Sequence, residues 1–297
     1  MSMRITSGMV QRSVLADLNR VSSDIAASQR KIGTGKEISK PSDDPSGAAL
    51  SLKLRTGLAA TQQYQRNAQD AQGWQDTAET AMADITDSLQ RAQELLVRGG
   101  SDSTDPAGRT AIAHEIDALA EAIKDSANTT HNGRYVFSGT ATNTPPYVAG
   151  ADDGYKGTSG IISREVGPGV SLQMNVLGSD VIGDGTSGVI ATLRGIANHL
   201  RSGDGESLRG QDMRNLDTAL DGVLDVRALN GARTNRLDSA LTRLGQIEEN
   251  TLTQLSDTED ADLAETLINL NSQQAAYQSA LRAGANLVQS SLMDFLR

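Results

Sequence analysis

The sequence of 297 residues contains no cysteine. Without thiols the chain forms no disulfide, has no thiolate nucleophile and lacks the usual ligand of structural zinc sites. Aromatic residues are also scarce, at 3% of the chain with one Trp and two Phe. Because aromatic side chains bury the most area each, the chain must bury Leu, Val, Ile and Ala in thin seams instead. This composition predicts long helices packed side by side.

Long apolar runs are absent as well. Met1 to Gly8 contain no apolar run long enough for a secretory signal, and no later segment predicts a transmembrane span. We therefore expect no membrane partner, and a cytoplasmic protein unless export uses an uncleaved N-terminus. The formal net charge of −10 disfavours a nucleic-acid partner, because the phosphate backbone is also negative.

The charge is unevenly distributed along the chain. Residues 1–66 carry ten basic against five acidic residues, whereas residues 237–297 carry three basic against nine acidic ones. The two ends are therefore electrostatically complementary. This favours pairing between them, within one chain or between neighbouring chains, although two solvated helix faces explain the pattern equally well.

Both ends have the pattern of a coiled-coil strand. Apolar residues recur at alternating steps of four and three, first up to Gly33 and again from Leu263 to the last residues. Polar or small residues such as Ser28 and Gly284 interrupt the seam, so an isolated pair of these helices is weak. The predicted seam residues, which form the candidate assembly interface, are Val14, Leu18, Val21, Ile25, Ile32, Leu263, Leu267, Leu270, Tyr277, Leu281, Val288 and Phe295.

Helix start and stop signals divide the region between the ends. Asp44-Pro45 and Asp105-Pro106 each place an N-cap residue before a proline at the first helical position. The first of these helices is predicted to end at Gly99-Gly100 and the second near Asn132-Gly133. Later helices are predicted from near Val189 and over 212–255, followed by a polar acidic segment, 256–262.

The segment 134–188 differs from its surroundings, because it is rich in Gly and Thr. Val170, Leu172, Met174 and Val176 alternate with polar residues, which is typical of a half-buried strand. Residues 161–166 supply a partner strand and 167–169 the turn. The predicted fold class is mainly α, with long helices forming a terminal coiled coil and a helical bundle, and a small inserted β domain. The predicted boundaries are 1–43 with 262–297 for the coiled coil, 44–134 with 188–261 for the helical rod, and 135–187 for the β insert.

No pattern in the sequence predicts catalysis, a cofactor or a metal. The loop Gly183 to Gly188 matches the dinucleotide fingerprint, but no strand follows the helix after it, so a plain Gly-rich connection is the stronger interpretation. His114-Glu115 begins a zinc-protease motif, but Ala118 stands where the second ligand belongs. The adjacent carboxylates Asp43-Asp44 and Asp152-Asp153 are expected to bind nearby backbone amides.

Motifs at both ends resemble those of the bacterial flagellin superfamily. The N-terminal ones are Leu18-Asn19-Arg20, Ile32 to Lys36 and Pro41 to Gly47; the C-terminal ones are Asn230 to Arg233, Glu259 to Glu265 and Leu292 to Arg297. Within the superfamily, the stretch Asn132 to Thr140, continued by Thr144 to Tyr147, is similar to the hook-filament junction family, also called hook-associated protein 3.

The resemblance implies a structural subunit of the flagellum, with no enzymatic activity and no cofactor, that joins the hook to the filament. It implies export through the flagellar secretion channel to an extracellular position, and terminal helices that order only on assembly. The implied partners are copies of the chain in a ring, a neighbouring hook-associated protein, flagellin or a further hook-associated protein, and a cytoplasmic export chaperone at the C-terminal helix. Thin seams agree with late ordering, since ordering costs about 1–2 kcal/mol per residue.

Three other interpretations remain open. The first is a filament flagellin, which polymerises by itself. The second is an enzyme built on the flagellin fold, which requires a metal-ligand or nucleophile set within the β insert. The third is an unrelated intracellular coiled coil, which does not explain a β insert between two helical halves.

Overall fold

The computed structural model describes residues 7–150 and 152–295. Long helices dominate this part of the chain, and the predicted fold class, mainly α with a small inserted β region, is confirmed. The elements in chain order are α1 (Ser7–Thr34), α2 (Pro45–Gly99), α3 (Pro106–Ala127), β1 (Thr130–His131), β2 (Arg134–Tyr135), β3 (Ser163–Gly167), β4 (Val170–Gln173), α4 (Gly178–Val181), α5 (Val189–Ser202), α6 (Gly205–Arg209), α7 (Gln211–Glu259) and α8 (Leu263–Phe295).

The chain divides into two compact units. Unit 1 takes in Met1–Ala60 and Glu248–Arg297, and unit 2 takes in Thr61–Ile247. Unit 1 therefore contains both terminal helices, the connection after α1, the start of α2 and the end of α7. This division is coarser than the three-part division of the sequence, whose boundaries stay a prediction.

Unit 2 is built around the apolar stripe of α2. Trp74, Ala78, Ile85 and Leu89 lie on one face at helical spacing, and each is at most 4% exposed. Helix α3 packs against α5, whose predicted apolar face is buried at Leu193, Ile196 and Leu200. The core consists mainly of Ala, Leu, Ile and Val, as the shortage of aromatics predicts.

The helix start signals are confirmed. The Asp105 carboxylate accepts a hydrogen bond from the Gly108 N–H, with Pro106 in the first turn. The Asp44 carboxylate accepts one from the Ser46 N–H at 3.0 Å, and α2 begins at Pro45. In both cases the side chain satisfies an N–H that has no partner within its helix.

The predicted end of the third helix, near Asn132-Gly133, is wrong, because the helix is shorter. Helix α3 ends at Ala127, and the chain turns into a hairpin in which Thr130 pairs with Tyr135 and His131 with Arg134. The two turn residues, Asn132 and Gly133, have φ values of 50° and 75°. A two-residue turn with positive φ at both positions is the one that Asn-Gly favours, so this dipeptide was a hairpin signal.

The other predicted hairpin is confirmed in shorter form. Strands β3 and β4 pair antiparallel from Ser163↔Gln173 to Gly167↔Val170, with an irregularity between Glu165 and Gly167. The polar segment predicted over 256–262 is also shorter, since α7 continues to Glu259. None of the helices that the structure describes is long and apolar enough to cross a bilayer.

Candidate assembly surface

The two terminal helices pack against each other in unit 1. Helices α1 and α8 are in contact along their length and run antiparallel, since the Ser28 hydroxyl donates to Gln273 Oε1 at 2.9 Å while Val14 lies beside Gly284. The α1 residues on this face are buried or partly buried at the predicted steps of four and three: Val14, Leu18, Val21, Ile25, Ser28 and Ile32. The N-terminal half of the predicted seam is therefore a packed face within the chain.

Helix α8 has its own regular inner face. Its least exposed residues also recur at steps of four and three: Thr266, Leu270, Gln273, Tyr277, Ala280 and Gly284. The small side chains among them permit close approach, because Val14 Cγ1 lies 3.2 Å from where a Cβ on Gly284 would be. Of the predicted seam residues on α8, Leu270 and Tyr277 share this inner face.

Three other predicted seam residues of α8 are half exposed at the border of this inner face. Leu263, Leu267 and Leu281 are 46%, 48% and 45% exposed. We call these three residues the outer leucine column. The side chains of Val288 and Phe295, also predicted for the seam, lie outside the described residues. The role of the column in contacts between subunits stays a prediction.

A buried carboxylate connects distant parts of the chain within unit 1. The Glu259 side chain is 4% exposed, and the Arg55 guanidinium donates to it from Nε at 2.9 Å and from Nη2 at 2.6 Å. The Lys36 ammonium lies 3.2 Å from the same carboxylate. The hydrogen bonds from Arg55 hold the pKa of Glu259 below its usual range, because they favour the ionised carboxylate more than burial disfavours it.

Backbone hydrogen bonds reinforce this connection. The Glu37 N–H donates to the Glu259 carbonyl at 2.6 Å, and the Ala261 N–H donates to the Gly35 carbonyl at 3.0 Å. The Lys36 ammonium also donates to Asp260 at 2.7 Å, and this hydrogen bond raises the pKa of Lys36. Two motifs that resemble those of flagellins are thus in direct contact, and the expected attraction between basic N-terminal and acidic C-terminal residues is confirmed for these pairs.

The motif Asn230 to Arg233 serves the core of unit 2 instead. Asn230 is 1% exposed, and its amide donates to the Gln75 carbonyl at 3.3 Å. The Arg233 guanidinium donates to the Asn175 carbonyl at 3.2 Å, which links α7 to the β region. These contacts position elements within unit 2, so this motif is a packing feature.

The Gly-rich loop 183–188 is a tight connection between α4 and α5. The Asp184 carboxylate accepts hydrogen bonds from the Thr186 and Ser187 N–H groups at 3.0 and 3.1 Å. Gly183 has a φ of 96°, and a Cβ there would lie 2.0 Å from the Ser187 carbonyl oxygen. Helix α4, and not a strand, precedes the loop, so the structural context of a dinucleotide fingerprint is missing.

Comparison with known proteins agrees with this architecture. The model of the bacterial flagellin N-terminal helical region matches residues 5–142, and that of the bacterial flagellin C-terminal helical region matches residues 213–296. Flagellar hook-associated protein 3 of Escherichia coli is 26% identical and is covered over 99% of its length by 98% of this chain. A flagellin of Bacillus subtilis is 29% identical, with 95% of this chain covering 97% of it.

Solved structures share the fold. The Xanthomonas campestris protein FlgL matches with a TM-score of 0.61 at 20% identity, over 68% of this chain and 99% of that one. The flagellar junction protein FlgL of Legionella pneumophila matches with a TM-score of 0.58 at 17% identity, over 72% of this chain and all of that one. The long helices with a small β region are therefore a recurrent architecture.

Proposed function

The chain belongs to the bacterial flagellin family, and from that premise we propose that it is a structural subunit of the flagellum that joins the hook to the filament. Its role is mechanical and involves no catalysis. The observation that carries an assembly role is the outer leucine column. Three leucines on one helix remain half exposed although that helix already has an intramolecular partner, so they are available to a further apolar surface.

The same geometry supports lateral contact between subunits. The inner face of α8 is occupied by α1, which leaves the outer leucine column for a helix of a neighbouring subunit. Each half-exposed leucine that becomes buried contributes about 1 kcal/mol. A single pair of such helices is weak, whereas a ring repeats the contact and adds the contributions.

Two relatives support different positions in the flagellum. End-to-end similarity to hook-associated protein 3 of Escherichia coli favours the junction, and the stretch Asn132 to Thr140, which led to this assignment, forms the hairpin and the buried Val136 and Phe137. The similarity to the Bacillus subtilis flagellin keeps the filament as the alternative. A junction subunit stops at the hook end, whereas a flagellin continues to polymerise.

Electron microscopy of the purified chain, alone and mixed with isolated hooks, tests this proposal. We expect no filaments from the chain alone and a short added layer at one end of each hook. Long filaments from the chain alone would identify a flagellin. Failure to add to hooks in any form would contradict the junction role.

A leucine substitution tests the surface itself. Leu281→Ala should weaken incorporation at hook ends by about tenfold, because the lost apolar contact corresponds to about 1–2 kcal/mol. Leu229→Ala is the matched control, since Leu229 is a leucine of similar exposure, 53%, on α7 in unit 2. Equal incorporation of both variants would remove the outer leucine column from the interface.

We propose further that this column is covered before assembly. An export chaperone in the cytoplasm that binds the C-terminal helix would shield these leucines, and passage through the flagellar channel would deliver the chain outside the cell. The neighbours in the flagellum would be a hook-associated protein on one side and flagellin or a further hook-associated protein on the other. The three-part division into coiled coil, rod and β insert belongs to the same proposal.

A further inference from the structure

Unit 2 contains a polar cleft that the assembly surface does not include. Its volume is about 270 Å³, and it is lined by Asp70, Trp74, His131, Asn132, Arg134 and Arg164. Three elements form it: α2 supplies the first two residues, the β1–β2 hairpin the next three, and β3 the last. The tight turn at Asn132 and Gly133 holds His131 and Arg134 as neighbours across the hairpin. We call this site the Arg134 cleft.

The indole of Trp74 supplies a buried donor to this cleft. Trp74 is 4% exposed, and its Nε1 has no hydrogen-bond partner among the described residues. Buried polar groups in proteins are nearly always hydrogen-bonded, because leaving one unpaired costs free energy. Trp74 lines the cleft, so a ligand there can supply the missing acceptor.

The ring of His131 is oriented by the same wall. It packs edge-on against Trp74, with ring centroids 6.0 Å apart. The Thr77 hydroxyl lies 3.0 Å from His131 Nδ1, within hydrogen-bond distance. Thr77 and Trp74 together fix the ring of His131 at the wall of the cleft.

The charges of the lining select a singly charged anion. Arg164 Nε donates to Asp70 at 3.0 Å, so these two charges compensate each other. The Arg134 side chain is exposed and has no salt bridge among the described residues. The lining thus has a net charge of one positive unit on a chain whose net charge is −10. One carboxylate neutralises this charge, whereas a doubly charged phosphate leaves one uncompensated negative charge in the cleft.

The side chains that follow Arg134 in sequence have roles in the fold, whereas the Arg134 guanidinium has no salt bridge among the described residues. Val136 and Phe137 are fully buried, and the Ser138 hydroxyl donates to the Thr144 carbonyl at 2.6 Å. Gly139 has a φ of 62°, and a Cβ there would lie 1.9 Å from the Thr158 carbonyl oxygen. Each of these residues has a role in packing or backbone geometry. The guanidinium of Arg134 has no such role and is available for a contact outside the chain.

We propose that the Arg134 cleft binds a carboxylate side chain of a neighbouring copy of this chain, with the Arg134 guanidinium and Trp74 Nε1 as donors. The choice of partner rests on the proposed function, because a ring of subunits places copies side by side. A chain with 37 acidic residues also presents many carboxylates to its neighbour. The cleft then fixes the register of one subunit on the next, because a bidentate guanidinium–carboxylate pair is directional.

The carboxylate site is tested on the full-length, unassembled chain. Trp74 is the only tryptophan, so the emission comes from one residue, which lines the cleft. We expect N-acetylglutamate amide to change the emission saturably in roughly the millimolar range, and N-acetylglutamine amide to have no effect. Arg134→Gln should weaken the response by at least about tenfold, and Arg236→Gln, at an exposed arginine of α7, should leave it unchanged.

Three results of this titration would contradict a carboxylate site in the cleft. They are the absence of a saturable response, an equal response to the two compounds, and a response of the Arg134→Gln variant equal to that of the unsubstituted chain. Arg134→Lys separates charge from geometry, since it retains the charge but loses bidentate pairing and should bind with intermediate strength. A urea midpoint equal to that of the unsubstituted chain confirms that each variant is folded.

The partner is tested by cross-linking in the assembly. Chains with Thr130→p-benzoylphenylalanine, at an exposed residue of β1 next to His131, retain Arg134. They are added to hooks, irradiated and digested, and we expect a cross-link to an acidic peptide of another copy of the chain. Cross-links only to a different protein, or none, would overturn the neighbouring copy as partner. If the chain does not assemble on hooks, the proposed function and this partner both fail, while the titration still decides whether the cleft binds a carboxylate.

Discussion

The ionised Glu259 carboxylate should stabilise unit 1 above pH 4 and lose that effect in acid. Glu259→Gln preserves the shape of the side chain and the backbone hydrogen bonds of residue 259, but it removes the charge that Arg55 and Lys36 bind. Charge-assisted hydrogen bonds to a buried group contribute about 1.5–3 kcal/mol each, and exposed pairs about 0.2–1 kcal/mol.

The expected magnitude lies between these limits. Glu259 is buried, but Arg55 is 57% exposed, so water partly replaces the lost partner of the guanidinium. We therefore expect Glu259→Gln to cost about 2 kcal/mol at pH 7, summed over both cations. Local opening should then become about 30-fold more frequent, since 1.36 kcal/mol corresponds to a factor of ten.

Native-state amide hydrogen exchange measures this opening directly. The Glu37 and Ala261 N–H groups form hydrogen bonds across the connection, so their exchange reports on its opening. Because the folded pKa of Glu259 is lowered, its stabilisation is fully present above the unfolded value of about 4.3 and is lost as the pH falls through the folded value. The ratio of exchange rates between variant and unsubstituted chain should therefore approach one in acid.

Two results would refute this reasoning. One is a ratio near one at pH 7, and the other is a ratio that does not change between pH 7 and about pH 2, well below the unfolded value. Asp257→Asn is the matched control, because Asp257 is an exposed carboxylate of α7 in the same unit. It should alter the exchange of these two amides by less than about twofold.

Two further substitutions test unit 2, with unfolding in urea followed by Trp74 emission. Gly183→Ala should destabilise it by at least about 2 kcal/mol, because φ is 96° and the new methyl meets the Ser187 carbonyl, whereas Gly195→Ala in open space within α5 should stabilise it by about 0.5–1 kcal/mol. Equal effects would contradict the assigned backbone. Lys124→Met should cost about 3–5 kcal/mol, since the ammonium is 1% exposed, donates to the Gly150 carbonyl at 2.6 Å and pairs with Asp153. Lys156→Met, at a solvent-exposed pair with Asp152, should cost less than about 1 kcal/mol, and a similar loss for both would refute the buried role.

Local signals in the sequence predicted the helices well. The Asp-Pro dipeptides gave two helix starts, because capping and the fixed φ of proline act within one turn. In α1, the residues that recur at steps of four and three are those of the face packed against α8. The same spacing on α8 did not distinguish the outer leucines from Thr266, Ala280 and Gly284, because helix approach depends on small side chains as well as apolar ones.

Contacts between distant residues were not predictable in this way. No local pattern connects Arg55 with Glu259, although the opposite charges of the two ends favoured some pairing. The Arg134 cleft depends on the hairpin at Asn132-Gly133, and a helix that continues through this dipeptide has no such hairpin. Residues 128–133 are Asn, Thr, Thr, His, Asn and Gly, which are poor helix formers, and Asn-Gly favours the two-residue turn.

The contact between Lys36 and Asp260 has a kinetic consequence, because it joins residues 224 positions apart. In unit 2, α2 and α7 run antiparallel, with hydrogen bonds from Gln72 to Asp238 and from Gln93 to Asp217. Once that unit has folded, residues 61 and 247 lie at the same end of it, and the loop still to be closed shortens about sixfold. This lowers the entropic cost of closure by about 1.5 kcal/mol. We therefore expect unit 1 to form after unit 2, with the contacts of Glu259 to Arg55 and Lys36 among the last to form.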